Sequence, residues 1–207
     1  MKITVAGAGL VGLVTSAGLA ELGHQVTCID IQKKKIDLLQ NGRTPINEPG
    51  LASLLEKNLN NGNLQFTMSP YQAYSDAEVI FIAVGTKNKL DNSVDLRNIH
   101  VVSNTIGHFI ENNVVLCIIS TVPIGTNDLI NKIIDRSKPP NLRCDVVSNP
   151  DFLRKGSAIN DFFYGERIVI GADNHESASI IKQIYEPLKI PTIITDILSA
   201  EMMKYAI

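Results

Sequence analysis

The stretch at 3–12, ITVAGAGLVG, has the residue types and spacing best suited to chemistry. Gly7, Gly9 and Gly12 form a G-x-G-x-x-G run between an apolar strand and the start of a helical pattern. Gly7 permits a tight turn, and Gly9 leaves room for a pyrophosphate to meet the main chain. Gly12 lets the helix lie close on the strand, so that its N–H groups and dipole face the phosphates. Asp30 ends the next apolar run, VTCID, at the distance where an acidic side chain accepts hydrogen bonds from both hydroxyls of an adenosine ribose. Its charge repels a 2′-phosphate, so the two motifs together predict a dinucleotide, with NAD favoured over NADP. The adjoining cations Lys33, Lys34 and Lys35 either tolerate a phosphate there or form a solvated helix start, and the second reading suits Lys33 and Lys34 better than Lys35.

Two later segments point to the same edge of a sheet. In an open α/β sheet, ligands sit beyond the carboxyl ends of the strands, where AVGT at 83–86 and STVPIGT at 120–126 fall. Gly85 allows close approach, and the hydroxyls of Thr86 and Thr121 suit the ribose or the nicotinamide side of the cofactor. For any single threonine the alternative is an ordinary loop or capping hydroxyl.

These residues need elements to hold them. Strands are predicted at 3–6, 25–29, 64–67, 79–84, 114–120, 145–148, 168–171 and 192–195. Helices are predicted at 11–22, 33–40, 50–59, 96–110, 126–136 and 175–185, and from Ser199 onward. Strands alternating with helices mean a parallel sheet, and runs such as VIFIAV and VVLCIIS, apolar at nearly every position, are covered on both faces. The expected fold is a Rossmann-like, doubly wound, mostly parallel α/β sheet with helices on both faces. Residues 1–198 are expected to form an NAD-binding domain, and 199–207 the first turns of a further, truncated helix. In that helix Ser199 is the N-cap, Glu201 and Lys204 share a face, and Met202, Met203, Tyr205 and Ile207 are apolar surface.

Composition narrows the class. Of 207 residues, 44% are apolar and 19% charged, with a formal charge of −2, which argues against disorder and against a generally basic nucleic-acid surface. No apolar run is long enough to span a bilayer and the start lacks a leader pattern, so a cytosolic address is expected, with no membrane or nucleic-acid partner. Cys28, Cys117 and Cys144 lie in or beside apolar runs without a CxxC pair, which predicts buried thiols and no metal site.

GAGLVG with IDIQKKKI, then INEPGL, VGT, STVPIGT, SNPDFLRKGSAIND, ERIVIG and SAEMMKYA, stand in the order and spacing of the UDP-glucose/GDP-mannose dehydrogenase family. The chain resembles that family over nearly its whole length, most closely its bacterial UDP-glucose 6-dehydrogenase branch. The resemblance implies two NAD-dependent oxidations at C6 of the sugar, alcohol to acid, through a cysteine-bound thioester. It also implies that this chain corresponds to the N-terminal half, because family enzymes continue through a central helix into a second Rossmann-like domain that carries the cysteine. Alone, such a half is expected to be inactive.

Position by position, the resemblance places Gly7, Gly9, Val11 and Gly12 on the pyrophosphate, Asp30 and Lys35 on the adenosine ribose, and Thr86 and Thr121 on the cofactor. Thr121 also positions a catalytic water. Asp151, Phe152, Leu153, Arg154 and Lys155 meet the sugar nucleotide, and Lys204 binds substrate and stabilises charge developing on oxygen. A UDP-sugar is the implied substrate and a homodimer through the central helix the implied assembly. Two departures stand out against the family's NPEFLREG. Asp151 keeps the carboxylate of a water-activating base but retracts it by a methylene, and Lys155 puts a donor where a glutamate accepts bonds near the nicotinamide. The glycine-rich GGSCFPKD setting of the family nucleophile does not occur in the chain, so Cys28, Cys117 and Cys144 cannot take its role. GDP-mannose and UDP-N-acetylmannosamine dehydrogenases remain the alternatives within the class. Outside it the alternative is an inert nucleotide-binding or interaction module.

Overall fold

The apolar runs and helical patterns become strands and helices in the expected order in the computed structural model, which describes residues 1–88 and 94–205. The first half holds β1 (Lys2–Ala6), α1 (Leu10–Glu21), β2 (Gln25–Ile29), α2 (Lys33–Gln40), α3 (Leu51–Asn60), β3 (Leu64–Thr67), α4 (Pro70–Tyr74) and β4 (Val79–Ile82). Two short strands, β5 (Lys87–Asn88) and β6 (Val94–Asp95), pair antiparallel. The second half holds α5 (Arg97–Phe109), β7 (Val114–Ile118), α6 (Thr126–Ser137), β8 (Cys144–Ser148), α7 (Ala158–Tyr164), β9 (Ile168–Ala172) and α8 (His175–Tyr185). A 3₁₀ turn at Glu186–Leu188, β10 (Thr192–Thr195) and α9 (Ile197–Met203) follow. Most bounds fall within two residues of those expected, whereas α4, α7 and the β5–β6 pair were not anticipated, being too short to show a period.

The main sheet runs β10-β9-β8-β7-β4-β1-β2-β3. Every neighbouring pair is parallel except β8–β9, which is antiparallel through Val147↔Ala172 and Ser148↔Gly171. β4 and β7 are buried at every position. Their side chains feed two cores, one on each face, with Leu13, Leu55 and Phe81 in one and Ile80, Ile99 and Ile130 in the other. The doubly wound, mostly parallel sheet is therefore present, and all three cysteines are buried and free.

One expectation is corrected at the last helix. α9 begins at Ile197, and Asp196 is its N-cap: its Oδ1 accepts the Ser199 N–H at 2.8 Å and its Oδ2 accepts the Ser199 hydroxyl at 2.6 Å. A carboxylate has two acceptor oxygens for these donors, so Ser199 falls inside the first turn. Ile207, counted on the apolar face above, lies outside the described residues.

Backbone crowding sets the geometry where β1 meets β4. Gly7 has φ +107°, and a Cβ on it would stand 2.7 Å from the Ala83 carbonyl oxygen. A Cβ on Gly12 would overlap the Gly7 carbonyl oxygen and crowd the Ala83 side chain. On Gly9 it would meet nothing within 4 Å.

The loop between β8 and α7 is tied down at its far end. Glu48, only 5% exposed, accepts the N–H groups of Gly156 and Ala158, both at 2.8 Å, and so caps α7. Arg154 closes on Asp161 through Nη2 at 2.6 Å, Nε at 3.2 Å and its own N–H at 2.8 Å, and the Ser157 hydroxyl adds a fourth bond at 3.0 Å. The Arg154 hydrogen bond, opposed by burial and reinforced by the Arg154 N–H and Ser157, holds the Asp161 carboxyl down to about 2.

Two outcomes follow from this packing. Gly12→Ala should lower stability by roughly 3 kcal/mol or more in urea unfolding, while Gly9→Ala should stay within about 0.5 kcal/mol of the parent. Asp161 titrates near 2 in the folded chain against an ordinary 3.8, so it contributes stability that is present above the ordinary value and lost as pH falls toward 2. Asp161→Asn should remove that dependence, and its urea midpoint should fall less steeply than the parent's between about pH 4.5 and 2.5.

Candidate functional site: a dinucleotide groove beside a charged pocket

From β1 the chain winds one way through β2 and β3, and from β4 it winds the other way through β7 and β8. That reversal opens a crevice at the carboxyl ends of β1 and β4, and the glycine loop lies in it. No side chain caps α1 at Gly9, so the first-turn N–H groups face an approaching anion, and the open space around Gly9 admits one. Asp30, at the end of β2, stands against the same loop. Its carboxylate accepts the N–H groups of Ala8 and Gln32, each at 2.9 Å, and the Lys35 ammonium at 2.7 Å. Burial pushes this carboxyl upward, but the Lys35 hydrogen bond and the two backbone donors outweigh it, and the net shift is downward. Asp30 is therefore held ionised beside the loop. Lys33 turns outward to Asp37 at 2.8 Å, the solvated helix start expected of it, whereas Lys35 turns to Asp30. The glycine cradle and the anchored acid fit the diphosphate and adenosine ribose of NAD.

The tips of β4 and β7 are stitched together. The Thr86 hydroxyl donates to the Thr121 carbonyl at 2.9 Å, and the Ser120 hydroxyl donates to the Val84 carbonyl at 2.8 Å. Thr121 itself is exposed at the crevice. Behind it, α6 begins with a carboxylate cap from far along the chain. Glu201 accepts the Gly125 N–H at 2.6 Å and the Asn127 N–H at 2.9 Å while only 3% exposed. Glu201 and Lys204 both face inward but do not pair with each other: Glu201 turns to two otherwise unpaired helix-start donors, and Lys204 turns toward the loop after β8.

There the structure brings three predicted residues together. The Lys204 ammonium stands 3.0 Å from the Asp151 carboxylate, also bonds the Asp151 carbonyl, and lies 5.9 Å from the centre of the Phe152 ring. Asp151 Oδ1 also accepts the Leu153 N–H at 3.2 Å. Asp151, Phe152, Leu153 and Arg154 line a cavity of about 420 Å³ with Asn149, Arg167 and Tyr185. The Arg154 guanidinium pairs with Asp161, which lines the same cavity, and Lys155 is exposed.

Sequence reasoning missed Arg167, whose guanidinium lies 5.3 Å from the centre of the Phe152 ring. It also missed the Tyr185 hydroxyl, which donates to Asn149 Oδ1 at 2.8 Å, and the Asn149 amide, which donates to the Val169 carbonyl at 2.7 Å. Arg167 and Asn149 do lie within the ERIVIG and SNPDFLRKGSAIND stretches that carry the resemblance, but nothing in those stretches assigned either residue a role. The thiols are inert by environment. Burial pushes Cys28 and Cys144 up to about 12 and Cys117 well above the ordinary thiol range, so none supplies a thiolate.

Comparison with known proteins agrees with this geometry. Residues 1–189 match the model of the UDP-glucose/GDP-mannose dehydrogenase family, NAD binding domain. The UDP-glucose 6-dehydrogenases YwqF and TuaD of Bacillus subtilis are 47% and 44% identical over 206 and 205 residues. Those matches take in 100% and 99% of this chain but only 47% and 44% of the relatives. Among solved structures, a UDP-glucose dehydrogenase from Pyrobaculum islandicum superposes with a TM-score of 0.96 at 36% identity, over 99% of this chain and 48% of that one. A GDP-mannose dehydrogenase from Pseudomonas aeruginosa gives 0.94 at 34% identity, over 100% and 49%. The chain spans about half the length of the relatives it matches. Among the described residues, no helix is long and apolar enough to cross a membrane. With its glycine loop, its anchored acid and a family match over residues 1–189, this chain belongs to the UDP-glucose/GDP-mannose dehydrogenase family, as its NAD-binding domain.

Proposed function

We propose that the chain is the cofactor-binding part of a cytosolic NAD-dependent UDP-sugar 6-dehydrogenase acting on UDP-glucose. The observation that carries this reading is the Lys204–Asp151–Phe152 cluster on the loop after β8, at the same carboxyl edge of the sheet as the glycine loop. A generic dinucleotide-binding sheet has no need of that cluster. The names of the two Bacillus subtilis relatives support the choice of sugar nucleotide.

In this reading Gly7, Gly9, Val11 and Gly12 hold the pyrophosphate, Asp30 and Lys35 the adenosine ribose, and Thr86 and Thr121 the far half of the cofactor, with Lys155 near its nicotinamide. Bound NAD supplies the acceptor for a hydride. The chain manages charge and protons at the sugar: Lys204 offers a fixed cation to oxygen as negative charge develops there, and Asp151 accepts a proton from water ordered by Thr121. Phe152, Leu153 and Arg154 shape the wall that the sugar nucleotide meets. Oxidation onward to the acid requires a thiolate, and the buried cysteines here provide none, so that nucleophile belongs to the remainder of a family enzyme. The exposed apolar residues Leu198, Met202 and Tyr205 on or just after α9 are the surface we assign to a homodimer.

Calorimetric titration with nucleotides tests the reading. NAD should bind the chain, NADP should bind at least about tenfold more weakly, and Asp30→Ala should abolish the NAD signal. Equal binding of NAD and NADP would remove Asp30 from the ribose site.

A further inference from the structure

We propose that Glu201 is a positioning residue that sets the nicotinamide-side loop against the helix carrying Lys204, an inference that rests on the reading above. Glu201 is a buried carboxylate on α9, three residues before Lys204, and its two oxygens accept the Gly125 and Asn127 N–H groups at 2.6 and 2.9 Å. Those donors close the loop that begins at Thr121. The other end of the loop is fastened to the tip of β4 by the Thr86 and Ser120 hydroxyls. Lys204 in turn is fastened to Asp151. One carboxylate therefore joins two groups of the proposed site, Thr121 and Lys204, that stand 83 positions apart in the chain.

The topology says which half of the cofactor feels this clamp. Asp30 at the end of β2 takes the adenosine side, so the nicotinamide side lies over the tips of β4 and β7, on the loop that Glu201 holds. In Glu201→Gln one acceptor becomes a donor facing a backbone N–H, so the loop loses one of its two ties while the glycine loop and Asp30 are untouched.

The test compares NAD with ADP, which reaches only the glycine loop and the adenosine ribose site, by calorimetry on the 207-residue chain. Glu201→Gln should weaken NAD about tenfold and leave ADP within about twofold of the parent. Equal losses for both ligands would make Glu201 a scaffold residue only, and no loss for either would remove it from the site; each outcome overturns the inference. Should Glu201→Gln fail to fold, Glu201→Asp, which keeps charge and both acceptors but retracts them by a methylene, gives the same comparison. If the unmutated chain binds no NAD, the functional reading falls and takes the inference with it, an outcome distinct from any in which the parent binds and the variant decides.

Discussion

The structure depends on the backbone contact among Gly7, Gly12 and Ala83. β1 and β4 are neighbours at the point where the winding reverses, and α1 has to start directly above their ends. That is possible only when the turn at Gly7 takes a positive φ and no Cβ stands between Gly12 and the Gly7 carbonyl. The same close packing aims the first turn of α1 at the crevice. The anion site proposed at Gly9 would thus be a consequence of how tightly the helix is seated.

Around this centre, two buried glutamates hold the loops that carry the proposed site. Glu48 reaches Gly156 and Ala158 at the start of α7, and Glu201 reaches Gly125 and Asn127 at the start of α6. An isolated buried carboxylate is costly, and an uncapped helix start leaves donors unpaired; joining the two removes both penalties and fixes a loop in place. The local dipole of the helix end also favours the negative charge.

The antiparallel step between β8 and β9 brings Arg167 and Lys204 to the loop after β8. Because β9 runs against β8, its first residues stand at the carboxyl edge, which puts Arg167 over Phe152. β10 runs parallel to β9, so α9 starts beside Gly171, which pairs with Ser148 at the end of β8, and from there reaches the site, ending at Lys204 against Asp151. A helix after an ordinary parallel strand would run away from that edge.

By itself the sequence determined the strand and helix order, the doubly wound class, the glycine loop with Asp30, and the family. These are local signals: period, apolar continuity, and short motifs whose glycines and acid lie within about thirty residues of one another. It also marked Asp151, Phe152 and Lys204 as residues of interest through their resemblance to a known pattern. What only the tertiary structure decided was who pairs with whom. Strand direction leaves no mark on side-chain period, so the reversal at β9 and the arrival of Arg167 were illegible. A glutamate that caps a helix 76 or 108 residues away looks in sequence like any surface glutamate, as Glu201 and Glu48 did, because its partners are backbone N–H groups that every residue but proline possesses.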